Sequence, residues 1–122
     1  MCGIAGVFRF DGEPVATATL EAMGAAVAHR GPDGKGMWAA GPVGLVHRRL
    51  AIIDLSPAGH QPMLSHCDRY VIVFNGEIYN HLDIRRELES HGTRLTSTSD
   101  TEVLVNAIAV WGVESKIGRA HV

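Results

Sequence analysis

Cys2 follows the initiator methionine, so removal of Met1 would expose it as the first residue. The thiolate is the reactive form of cysteine, and a free thiol with pKa ~8.5 is mostly protonated at neutral pH. An exposed α-amino group, with pKa ~7.7–8.0, lies beside that sulfur and can take its proton. Nucleophile and base would then come from one residue; the plain alternative is that a small residue follows the start codon. Three further groups could do chemistry. Arg48 and Arg49 sit in the apolar run from Val43 to Ile53, and a buried arginine needs a partner, either an internal carboxylate or one on a ligand. Asn75-Gly76-Glu77 ends the run Tyr70–Phe74, where an amide donor could stabilise a developing oxyanion or simply make a turn. Asp100 opens the last periodic segment, where the helix dipole alone would account for it.

These residues need elements to hold them. Gly3 to Phe10 reads as a short buried strand that starts beside Cys2, and its glycines allow another backbone or a ligand to come close. Asp11-Gly12-Glu13-Pro14 is a turn, after which Thr17 or Thr19 could cap a helix carrying Leu20, Met23 and Val27. His29-Arg30-Gly31-Pro32-Asp33-Gly34 breaks it as a loop, a surface connection whose two basic residues leave a binding role open. Met37–Ala40 and Val43–Ile53 read as strands joined by Gly41-Pro42. The stretch from Asp54 to Cys67 is irregular and long enough for a functional loop. Tyr70–Phe74 is the clearest strand. Asn80 could cap a helix from His81 to Ser90, with Ile84 and Leu88 inward, Arg85, Arg86, Glu87 and Glu89 outward, and Gly92 closing it. Thr93–Thr96 suggests a short strand, and Ser99-Asp100-Thr101-Glu102 reads as a capping box for a helix with Val103, Leu104, Ala107, Ile108 and Trp111 on one face.

At 122 residues the chain fits one domain, and 11 basic against 13 acidic residues give a net charge of −2, with no electrostatic footprint for nucleic acid or anionic membrane. No apolar run is long enough to span a bilayer, and no leader pattern opens the chain. Its two cysteines, Cys2 and Cys67, make no framework of bridges, and a reduced Cys2 suits a cytoplasmic protein. Nothing in the sequence around Cys67 would lower its pKa, so it reads as a bystander. His60 and His66 lack the paired spacing of a zinc site, so no metal is predicted.

Taken together, MCGIAGVF, HRGPDG, HRRLAIID, FNGEIYN and TSD, in that order over about Met1 to Trp111, resemble the amino-terminal glutaminase domain of class II glutamine amidotransferases. HRGPDG and NGEIYN point to the glutamine-hydrolysing asparagine synthetase branch rather than to the phosphosugar or purine branches. The resemblance implies an amino-terminal-nucleophile hydrolase fold, an α+β four-layer α/β/β/α sandwich of two antiparallel sheets between helices. It implies that Cys2 attacks the glutamine side-chain amide and forms a glutamyl thioester as ammonia leaves. Arg49 would grip the substrate α-carboxylate, Asn75 and the Gly76 N–H would form the oxyanion hole, Glu77 and Asp100 would hold the α-ammonium, and Ile52 would line the pocket through its backbone. The implied partners are glutamine, a synthetase portion in the full-length chain that uses ATP and magnesium, and a second copy in a homodimer. No cofactor is expected in this stretch, which lacks a pyrophosphatase-type SGGxDS loop. Residues 1–115 read as a carboxyl-terminally truncated amidotransferase domain, and residues 116–122 as a non-native tail resembling translated sequencing adapter.

Overall fold

In the computed structural model, residues 2–51 and 56–114 are described. Ile52 and the 116–122 tail lie outside them. The fold is α+β, with two antiparallel sheets and three α-helices among the described residues, in two compact units.

The first unit comprises residues 2–51 with His60–Pro62 and Val73–Asn75. Its sheet has the order β1-β3-β2, formed by β1 (Gly3–Phe8), β2 (Gly34–Ala40) and β3 (Val43–Arg49). Gly3 pairs with Arg48 on one side of β3, and Gly34 with Arg49 on the other. Side chains alternate across the pleat, so residues 44, 46 and 48 share one face. That face meets α1 (Thr17–Ala26). Gly44 admits Leu20 and Gly24 admits Val46, each so closely that an added Cβ would lie 2.7 Å and 3.1 Å from the facing side chain. The predicted helix is present, but Ala16 holds its N-cap and no side chain caps it. The expected burial of the first strand is found on one face: Gly3 is buried and Ala5 and Val7 half-buried, while Ile4 and Phe8 on the opposite face are exposed. Phe10, expected inside it, lies beyond its end and is also exposed.

The second unit holds a two-stranded sheet, β4 (Met63–Leu64) with β5 (Val71–Ile72), and the helices α2 (His81–Ser90) and α3 (Asp100–Trp111). Ile84 and Leu88 on one face of α2 are buried, and α3 is buried on several sides, through Val103, Val105 and Ala107, while Leu104, Ile108 and Trp111 are only half-buried. Burying each of the Ile, Leu and Val side chains contributes roughly 1.5–3 kcal/mol. The C-terminus of α2 closes in a Schellman motif: the Gly92 N–H donates to Glu89 O at 3.0 Å and the Thr93 N–H to Leu88 O at 3.0 Å, with Gly92 at φ 87°.

Four readings are corrected here. The strand read as Tyr70–Phe74 keeps ladder geometry only at Val71–Ile72, because the Phe74 N–H donates to a side chain instead. Thr93–Thr96 is not a strand; the Thr96 N–H is taken by the Glu102 carboxylate. Arg85 turns inward to the Ser97 carbonyl, with Glu89 and Glu102 nearby. Asn80 occupies the N-cap of α2, yet its buried Oδ1 accepts no hydrogen bond among the described residues.

Candidate active site

The candidate residues fall into two groups, one in each unit. In the first unit Cys2 immediately precedes β1. Its Sγ accepts from the Leu50 N–H at 3.2 Å and lies 3.5 Å from the Leu50 carbonyl, while the Cys2 carbonyl accepts from Arg30 Nε at 3.1 Å. Side chain and backbone of the cysteine are therefore both fixed, with a donor and an acceptor on the sulfur. Gly3 follows with no room for a side chain, since an ideal Cβ would sit 2.9 Å from Val27 Cβ and O.

The HRGPDG loop accounts for the position of Leu50. Asp33 donates its N–H to Arg49 O at 2.9 Å, and its Oδ2 accepts from the Ala51 N–H at 2.9 Å. Gly31 is pressed against the turn it supports, because a Cβ there would stand 2.3 Å from the Arg48 carbonyl carbon and oxygen. The loop is thus a clamp on the end of β3, which carries Arg49 and presents Leu50 to the sulfur. Sequence reasoning left this loop between connection and binding element; its density of turn formers was the available signal. Of the two arginines, Arg48 donates from Nε to Gly24 O at 3.0 Å in the last turn of α1, where a cation complements the helix dipole. Its partner is a carbonyl rather than a carboxylate. Arg49 is half-buried at the end of β3.

His47, two residues before Arg49, is 1% exposed. Neither ring nitrogen has a hydrogen-bond partner among the described residues. Burial pushes its pKa from 6.5 down to about 4; the nearby Phe74 carbonyl opposes this without bonding geometry, and His60 and Arg49 add to it. The ring is neutral at pH 7. Gly36 on β2, which pairs with His47, has the Gln61 carbonyl 1.9 Å and His60 Nε2 2.7 Å from an ideal Cβ, so His60 and Gln61 lie directly on this strand. The Gln61 side chain then takes the Phe74 N–H at 2.6 Å, immediately before half-buried Asn75.

In the second unit Gly76 and Glu77 are exposed, followed by Ile78, which is 1% exposed. The Ile78 N–H donates to Asp100 Oδ2 at 3.0 Å, the one hydrogen bond of that carboxylate among the described residues. Asp100 thus serves the turn that carries Gly76 and Glu77 as well as the first turn of α3. Ser99 caps α3 by accepting from the Thr101 N–H at 3.1 Å, but the capping box is only half formed. Glu102 reaches past Ser99 to accept from the backbone N–H and hydroxyl of both Thr96 and Ser97 at 2.8–3.1 Å. Its burial acts to raise the pKa, and those bonds outweigh it, holding the carboxyl below its usual value.

Cys67 corrects an expectation. Ser65 Oγ stands 3.3 Å from its sulfur, and that contact, with the Arg69 N–H and the Arg69 charge, lowers the thiol pKa. Among the described residues no group of three or more His, Cys, Asp or Glu side chains could hold a metal ion, and no helix is long and apolar enough to cross a membrane.

The sequence matches the glutamine amidotransferase domain over residues 1–120. It is 40% identical over 114 residues to the glutamine-hydrolysing asparagine synthetase 3 of Bacillus subtilis, covering 91% of this chain and 18% of that protein. It is 42% identical over 110 residues to asparagine synthetase 1 of the same organism, covering 86% and 17%. Asparagine synthetase 1 of Arabidopsis thaliana is 37% identical over 116 residues, covering 93% and 19%. The chain spans less than a fifth of the length of these relatives. With the family matched along nearly its whole length, the chain belongs to the glutamine amidotransferase domain family.

Proposed function

We propose that this chain is the glutaminase portion of a glutamine-hydrolysing asparagine synthetase. The observation that carries the reading is the Cys2 sulfur, held by the Leu50 backbone at the start of β1 beside the end of the strand bearing Arg49. Once Met1 is removed, the Cys2 α-amino group takes the thiol proton and the sulfur attacks the side-chain amide carbon of glutamine. The amide nitrogen leaves as ammonia with that proton, and water then cleaves the glutamyl thioester to glutamate. Arg49 pairs with the α-carboxylate as a charge-assisted fork. Asn75 and the Gly76 N–H stabilise the oxyanion, a donor of this kind being worth ~3–4 kcal/mol of barrier. Glu77 and Asp100 receive the α-ammonium.

The rest of the reading follows the resemblance of the sequence motifs. Ammonia passes to a synthetase portion that uses ATP and magnesium to amidate aspartate, in a chain that folds as a four-layer α/β/β/α sandwich. A thiol that must stay reduced fits the cytoplasm. The test is glutamate release from glutamine by the full-length protein, with Cys2→Ala as control. Release should vanish in Cys2→Ala, and release that survives the substitution sinks the assignment. Ammonia consumption with aspartate, rather than with a sugar or peptide acceptor, tests the branch.

A further inference from the structure

We propose that Gln61 is a positioning residue for the oxyanion hole, its side-chain oxygen holding the backbone that presents Asn75; this rests on the glutaminase reading. Three features of the first unit carry it. Phe74 has left the β-ladder, since β5 ends at Ile72, and its N–H is satisfied by Gln61 Oε1 at 2.6 Å. A backbone N–H can only donate, so the amide oxygen must face it. Gln61 itself cannot drift: it is 6% exposed, and its carbonyl is pressed against Gly36, where a Cβ would stand 1.9 Å away. The tether therefore runs from the sheet, through Gly36 and Gln61, to the residue directly before Asn75.

An oxyanion donor acts only when aimed at the oxygen that develops charge, and displacement by about 1 Å can lower the rate on the order of 100-fold. Substrate grip resides elsewhere in the reading, on Arg49, Glu77 and Asp100, so loss of the tether should fall on kcat and spare KM.

The test compares Gln61→Met, which keeps length without the acceptor, with Gln61→Glu, which keeps an acceptor oxygen. Both are measured in the full-length protein for glutamine kcat and KM, and for hydrogen exchange at the Phe74 amide. The expected result is a kcat at least tenfold lower in Gln61→Met with KM within threefold. Gln61→Glu should stay within threefold of the parent kcat, and Phe74 protection should be lost only in the Met variant. Unchanged kcat in Gln61→Met, or equal losses in the two variants, overturns the proposal while leaving the glutaminase reading in place. A parent protein without Cys2-dependent glutamate release overturns both, and the Phe74 exchange data separate that outcome from a missing tether.

Discussion

The two units hold their candidate residues by different means. In the first, position is set by absence of volume: Gly31, Gly36 and Gly3 each let one backbone rest on another at distances no side chain tolerates, and the buried ring of His47 is neutral. In the second, position is set by carboxylates that gather backbone N–H groups, Asp100 taking Ile78 and Glu102 taking Thr96 and Ser97. A residue held by close packing fails when atoms are added, whereas one held by a carboxylate fails when charge is removed.

The strongest way to break this contrast is Gly31→Ala. The new methyl would meet backbone at 2.3 Å, so neither neighbour can rotate away. The expected loss exceeds about 3 kcal/mol in urea unfolding, the upper end for overpacking. A near-neutral result would remove the clamp from the account. Acid comes next. His47 binds a proton at 6.5 when unfolded but only near 4 when folded, so its contribution is whole above 6.5 and is lost as pH falls towards 4. About 3 kcal/mol should go in that window, and His47→Leu should flatten it. The neighbours that act on the ring, His60 and Arg49, remain in that variant. Glu102 behaves otherwise: its folded pKa lies below 4.5, so its contribution holds above 4.5 and disappears as pH falls through the lower folded value. Residue-resolved exchange should therefore show β3 amides losing protection at higher pH than Thr96 and Ser97.

Glu102→Gln sharpens the same contrast at neutral pH. It replaces an acceptor oxygen with an NH2 group facing donors, which should destabilise by about 1–3 kcal/mol and unprotect Thr96 or Ser97. The smallest effect is expected from Gly92→Ala. Nothing lies within 4 Å of that Cβ, and only its φ of 87° resists, so thermal unfolding should register about 1 kcal/mol.

What could be read in the sequence follows the range of the interactions. The span of α2, its inward Ile84 and Leu88 and its Gly92 terminus were legible because helix period and glycine closure are local signals. The motifs around Cys2, Arg49, Asn75, Glu77 and Asp100 were legible as a family pattern. What remained hidden depends on partners distant in the chain. Phe74 looks like strand until Gln61, 13 residues earlier, takes its N–H. Arg85 looks like a surface residue until Ser97 offers a carbonyl. Glu102 satisfies a capping-box pattern and spends its oxygens elsewhere. The purpose of HRGPDG appears only once Asp33 and Gly31 are seen on the end of β3.

Both cysteines are free thiols, and the account assigns chemistry to one of them. The most direct test is to treat the full-length protein with a glutamine analogue carrying an electrophilic ketone in place of the side-chain amide, then map the adduct by peptide mass. A single adduct on the peptide that begins at Cys2, with Met1 absent and glutamine protecting, is the predicted result. An adduct confined to Cys67, or none at Cys2 when Met1 has been removed, would contradict it.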